Sequence, residues 1–380
     1  MQKIAGVICI KKKHLATMLY LLVGISVCIA GGAIKKHSES EAVAMAAKSG
    51  NVEEKSESGE ENTLETESES NKKEYIKWVE FNVTKEALQQ AYEYDINTHD
   101  SEYPLHLTEL LSYLGAKYGG DFARYDPADM SELAEKLTEG KETLEEITKD
   151  MKYYPYYREA YGSVLEGLVG EYQVLENEKW ITKYGLKEFH PIAKGFPYSD
   201  FDDFGVSRSY GYKRVHLGHD MMGQVGTPVV AVESGYVTEL GWNQYGGWRI
   251  GINSFDKKRY YYYAHLRKDF PYAKWLKKGS VVQAGDVIGY MGRTGYSANE
   301  NVNNIDTYHL HFGLQLIFDE SQREGTNQIW VDVYPLIRFL YQNQSDTVRD
   351  DKTKERSRTI KIRDPEAQKY KKKENKCNIL

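Results

Sequence analysis

The sequence predicts an α+β chain: one N-terminal transmembrane helix, then a helical region, then a mainly antiparallel β domain. Three observations predict it. Residues 15–34 are an uncharged run of twenty. From about Glu74 to Gly185, apolar residues recur at helical spacing. Beyond about residue 190, glycine becomes frequent and short runs are punctuated by Gly, Asn and Asp.

Residues 1–14 read as a short cytoplasmic segment and 15–34 as an anchor. A twenty-residue helix is about 30 Å long, enough for a bilayer core. Lys3, Lys11, Lys12 and Lys13 precede the run and Lys35 and Lys36 follow it, which favours the N-terminus inside. The alternative is a cleaved signal peptide, with small residues near Cys28 and Ala30. Either reading places the bulk of the chain beyond a membrane, with the anchor reading giving a single-pass membrane protein.

Residues 35–73 read as an acidic, disordered linker. Within them, 38–70 hold ten Glu and two Lys and almost no branched or aromatic residues. Such a segment buries too little apolar area to offset its ordering entropy, and it repels itself. The 74–189 region is predicted helical, with Asp126 as N-cap before Pro127 and a Thr143–Glu146 capping box. It shows no catalytic constellation; His99 and His106 read as packing or surface residues. Protein partners through it are open.

The 190–345 segment is the predicted β domain. Strands are expected at 236–242, 248–253, 258–265, 281–290 and 309–318. Residues 346–380 hold twelve Lys+Arg against seven acids without periodicity and read as a charged, disordered tail. Its final Cys377-Asn-Ile-Leu fits a prenylation box only loosely.

Composition bounds the function. The 380 residues carry a net charge of −6, concentrated in the tails, which argues against a nucleic-acid partner. Three cysteines exclude a disulfide scaffold. The chemistry lies in the histidines. His309 and His311 stand two apart in an alternating run, so both imidazoles share one strand face while Leu310 and Phe312 face the other way. Two such imidazoles suit a divalent metal or acid–base work. His216-Leu-Gly-His219-Asp220 adds a carboxylate and two imidazoles, of which one can share an ion with Asp220. If 261–266 is a strand, Tyr261, Tyr263 and His265 share one face and add a further base.

These motifs, in order, resemble the lysostaphin/LytM-type zinc metalloendopeptidases. The resemblance covers about residues 205–340 and rests on His216-x-Gly-x-Asp220, Gly226-Thr-Pro-Val-Val-Ala-Val-Glu-Ser-Gly235, Tyr263-Ala-His265-Leu266, Gly285-Asp-Val-Ile-Gly289, Gly292-x-Thr-Gly295 and His309-Leu-His311-Phe312. It implies a lysostaphin/LytM-like β fold with a groove and hydrolysis of peptide cross-links in peptidoglycan, with the peptide stems as substrate. It implies one Zn²⁺ held by His216, Asp220 and His311, with His265 and His309 as the catalytic pair, their two roles undivided. Either Tyr210 or Tyr212 matches the Tyr that often precedes the first ligand. The chain departs from the pattern in a long polar connection, Tyr296–Tyr308, and in Gly313, where an acidic residue is common. A catalytically silent scaffold and a wall-anchoring structural protein are the rival readings. The filled set of five polar positions argues against both.

Overall fold

The computed structural model describes residues 75–209, 213–325 and 327–377. The expected segments 1–14, 15–34 and 35–73 lie outside the described residues, as do Tyr210 and Tyr212. Among the described residues no helix is long and apolar enough to cross a membrane.

The first α-helices are α1 (Lys85–Thr98), α2 (Leu107–Tyr118), α3 (Pro127–Thr138), α4 (Leu144–Thr148) and α5 (Tyr154–Leu165). Their starts follow local capping chemistry. The Asp126 carboxylate accepts from the Ala128 amide with Pro127 at the first helical position. Thr143 and Glu146 cap each other reciprocally. Leu110, Leu111 and Leu114 of α2 and Ala160, Tyr161 and Val164 of α5 are buried in the core. His99 stacks on Tyr184 with ring centroids 3.5 Å apart and is a packing residue, while His106, at the N-cap of α2, is exposed at the surface.

The region expected to be helical through 189 ends instead in a hairpin, β1 (Val169–Glu176) and β2 (Lys179–Leu186). Its two-residue turn, Asn177-Glu178, has φ of 47° and 65°. That is the left-handed pair a tight hairpin requires. Glu in the second position conceals the turn, because glycine is its usual signal.

The β domain follows with β3 (Ser207–Ser209), β4 (Lys213–Val215), β5 (His219–Met222) and β6 (Pro228–Val230). Next come β7 (Gly235–Asn243), β8 (Gly247–Ser254), β9 (Arg259–Ala264), β10 (Val281–Val282) and β11 (Val287–Tyr290). The 281–290 run is thus two strands, parted by a turn in which Gly285 has φ 84°. The last strand of the domain's main sheet is β13 (Ile329–Val331), after β12 (His309–Leu316). The order is β10-β7-β8-β9-β12-β13, all antiparallel, with β5 sharing the free edge of β12. Its inner face, including Leu310, Phe312, Leu314 and Leu316, joins the helices in one hydrophobic core that runs from Val79 to Leu340. The expected boundary at 189/190 therefore falls within one core, after the change from helix to strand at β1.

Through residue 377 the tail is also structured, contrary to the expectation of disorder over 346–380. After α6 (Tyr334–Leu340) come β14 (Thr347–Arg349), β15 (Arg356–Arg358), β16 (Ile362–Arg363) and α7 (Pro365–Cys377). β16 pairs with β1. Arg358 meets Asp286 at 3.0 Å and donates to the Ala284 carbonyl at 2.9 Å. Tyr370 stacks on Tyr236 with ring centroids 5.0 Å apart. The segment docks through arginine contacts and strand addition, which leave no hydrophobic period to read.

Where helices meet sheet, a buried polar cluster forms. Arg259 pairs with Glu233 and Asp256 and donates to the Ser163 carbonyl of α5. Tyr261 donates to Glu233 at 2.8 Å and to Glu188 at 3.3 Å. Burial, reinforced by the neighbouring Glu233 carboxylate, pushes the Glu188 carboxyl up to about 8. Raised above its unfolded value, this group supports stability below that value and loses its contribution as pH rises through its folded value. Glu188→Gln is therefore expected to gain stability over the native chain progressively from about pH 5 to about pH 8, by at least about 1 kcal/mol at the upper end. Urea unfolding at several pH values checks this; a pH-independent difference would contradict it.

Candidate metal centre and groove

The site starts from one register. His311 of β12 lies opposite Asp220 of β5 on one side and opposite Ala264 of β9 on the other. Directly opposed residues carry their side chains on the same face. His216 arrives from the turn between β4 and β5. The three donor atoms lie within 4.8 Å of one another. His216 Nε2 is 2.9 Å from His311 Nδ1 and 3.2 Å from Asp220 Oδ1, and His311 Nδ1 is 2.9 Å from the same oxygen. Gly218 permits this approach: a Cβ there would meet His311 Cε1 at 2.6 Å and the Phe312 carbonyl at 2.8 Å.

A second layer holds these groups in place. His216 Nδ1 lies 2.9 Å from the Asp203 carbonyl oxygen and 3.2 Å from its carboxylate. Arg208 bridges the carboxylates, donating to Asp203 at 2.6 Å and to Asp220 Oδ2 at 2.7 Å. The other face of Asp203 and Asp200 receive His219, at 3.3 and 3.1 Å. His219 thus points away from the donor set, as strand alternation requires next to Asp220. Asp203 and Arg208 escape sequence reasoning, because only the fold brings the 200–208 segment against β5.

The electrostatics fit a cation. Burial opposes the charge on His216, but the Asp203 and Asp220 contacts prevail and push the imidazole up to about 9. Burial also opposes ionisation of Asp220, yet His216 and His311 hold its carboxyl far below the usual range. His311 moves the other way, lowered by burial against the Asp220 contact. The cluster therefore holds positive charge between its donors, where a dication would displace protons. Two imidazole nitrogens and one carboxylate oxygen are a donor set that suits zinc and leave a fourth position free.

His265 and His309 stand beside this set, their rings 4.7 Å apart. Each anchors its Nδ1 on a carbonyl, His265 on Thr294 and His309 on Thr307, both at 2.9 Å. That turns each Nε2 away from its carbonyl anchor, and the Nε2 of His309 lies 3.8 Å from Asp220 Oδ2. Burial, then the neighbouring His309 and His311, hold His265 well below its ordinary value and so neutral.

One expectation is corrected. Tyr261 and Tyr263 do not share a face with His265; both are in the core, where the Tyr263 hydroxyl accepts from the Val232 amide at 2.9 Å. Tyr260, Tyr262 and Ala264 line the groove instead. His265 joins them because its φ of 59° lies in the left-handed region, just past the end of β9. That residue breaks the alternation that a continuous strand would impose. The groove has a cavity volume of about 560 Å³. Trp330 stands near Tyr262 at 6.2 Å, and a Cβ on Gly313 would meet the Trp330 ring at 2.8 Å. The 296–308 connection supplies Tyr296 to the rim. No described residue of 75–189 lines the groove.

Residues 214–325 match the family model of peptidase family M23. Over 172 residues the chain is 33% identical to the L-Ala–D-Glu endopeptidase of Bacillus subtilis (strain 168), covering 45% of this chain and 49% of that one. Over 135 residues it is 34% identical to the lysostaphin of Staphylococcus simulans, covering 35% of this chain and 22% of that one. The chain thus spans about half the length of the first relative and about a fifth of the second. A crystal structure from Ruminococcus gnavus, provisionally named a LytM glycyl-glycine endopeptidase, aligns at TM-score 0.47 and 25% identity over 69% of this chain and 89% of that one.

Because Asp203 orients His216 and anchors Arg208 against Asp220, Asp203→Ala is expected to weaken zinc binding by about 10- to 100-fold. Competition with a chromogenic chelator measures this. Unchanged affinity would show that the second layer is not needed.

Proposed function

We propose that this chain, which carries a lysostaphin/LytM-type domain of peptidase family M23, is a zinc metalloendopeptidase that hydrolyses peptide bonds in peptidoglycan. The single observation that carries the reading is the convergence of His216, Asp220 and His311 on one point, with two further imidazoles alongside. The names of the aligned relatives, an L-Ala–D-Glu endopeptidase and lysostaphin, support the peptidase reading and, with the family resemblance, point to peptide stems or their cross-links as substrate.

His216, Asp220 and His311 would hold the ion. When bound, zinc would supply Lewis acidity that lowers the proton affinity of water and polarises the scissile carbonyl. The chain's own residues do the rest. Tyr262 and Trp330 form one wall along which an extended peptide lies. His265 and His309, each with its Nδ1 engaged, offer their Nε2 atoms beside the donor set, and one of them takes the proton of the attacking water. The pair then delivers a proton to the leaving amide nitrogen. Thr294 and Thr307 fix the tautomers through their carbonyls. Arg208 keeps one oxygen of Asp220 occupied, so the other faces the ion.

The proposed setting is extracytoplasmic, tethered by residues 15–34 or released after signal cleavage. Its support is the uncharged run with lysines on both sides. The helices pack behind the sheet rather than over the groove, so they support the domain instead of covering the site.

His265→Ala and His309→Ala in the full chain are expected to retain zinc and to lose about 10²- to 10⁴-fold in rate. Mass spectrometry of muropeptides released from purified sacculi, with metal analysis of each protein, reads both quantities. Cleavage by the native chain should also stop with a chelator and return with added zinc. A zinc-loaded native chain that releases nothing would favour a silent scaffold.

A further inference from the structure

Four arginines line the groove: Arg208, Arg214, Arg249 and Arg323. Three have carboxylate partners within the fold. Arg208 bridges Asp203 and Asp220. Arg249 pairs with Glu239, and Arg323 with Glu320. Arg214 is the exception. Among the described residues it has no carboxylate within ion-pair reach, and its guanidinium lies 4.5 Å over the Tyr296 ring. Stacking occupies the face of a guanidinium and leaves the donors at its edge free.

The platform beneath it is built and strained. Tyr296 has φ 47°, a left-handed conformation that an aromatic residue rarely adopts. It is held there at both backbone ends: its amide donates to the Tyr245 carbonyl at 3.2 Å, and Asn304 donates to its carbonyl at 2.6 Å. Strain maintained at a groove rim points to function. The Tyr296 ring lies 5.9 Å from the His265 ring. Two ring contacts thus separate the guanidinium from a proposed catalytic imidazole, a reach of at most about three residues of extended peptide.

A half-buried cation that has no carboxylate partner among the described residues favours an incoming anion. The anion that matches a guanidinium edge and belongs to a peptide is a carboxylate. We propose that Arg214, on its Tyr296 platform, binds a free substrate carboxylate within about three residues of the scissile bond. The chain then prefers peptides that carry this carboxylate over neutral bridges such as oligoglycine. Arg214 becomes the specificity residue of the groove. This inference rests on the peptidase reading.

The test uses the full, zinc-loaded chain and a matched pair of muropeptides, with stem carboxylates free or converted to carboxamides, plus a pentaglycine peptide. The native chain is expected to favour the free form by at least about tenfold in kcat/KM. Arg214→Gln should lower kcat/KM on the free form by about 10- to 100-fold, mostly through KM, and leave the carboxamide unchanged. Arg214→Lys should recover part of the loss, with zinc content equal in all proteins. Calorimetry on the His309→Ala chain compares affinity for the two forms without turnover. Equal binding and equal cleavage of both forms would overturn the proposal, as would an equal loss on both in Arg214→Gln. Absent turnover with retained preference in binding would instead overturn the peptidase reading and leave the carboxylate site standing.

Discussion

The position of β12 between β5 and β9 is the constraint on which the site depends. It sets His311 against Asp220 and Ala264 at once, so a donor from one neighbour and the groove floor from the other meet on one face. A slip of one residue would turn both histidines into the core and bring Leu310 and Phe312 to the groove. Burial opposes that slip, since Leu310 and Phe312 are almost fully enclosed. The same apolar packing that stabilises the sheet thereby fixes the chemistry.

Around this register the charges are arranged in layers. The innermost are two imidazoles and a carboxylate. Behind them the Asp203 carboxylate, fully buried, serves His216, His219 and Arg208 together. A buried anion with that many partners is stable only while all of them are present. This links the orientation of the ligands to the short β3–β4 hairpin that delivers Arg208. The same hairpin delivers Arg214 to the groove, so the metal centre and the proposed carboxylate subsite share one support.

Much of the site was legible in the sequence, and the reason is local. His309 and His311 are two apart on one strand, and His216 and Asp220 flank one tight turn, so short-range geometry nearly suffices to group each pair. The errors fall where geometry departs from a period. Alternation placed Tyr261 and Tyr263 beside His265, and one left-handed residue reversed that assignment. The β1–β2 hairpin was hidden by a turn without glycine. The ordered tail was hidden because its contacts run through Arg358 and β16 rather than through an apolar stripe.

The sequence by itself determined which side chains carry the chemistry and the β character of the segment that holds them, since residue types, spacing and strand alternation are properties of the chain. Only the tertiary structure decided that the His309–His311 pair and the His216–Asp220 unit meet, that Asp203 and Arg208 stand behind them, and that Arg214 lacks a carboxylate partner among the described residues. Those facts depend on which strand edges pair across some ninety residues and on how much water the packing excludes, and no local pattern encodes either.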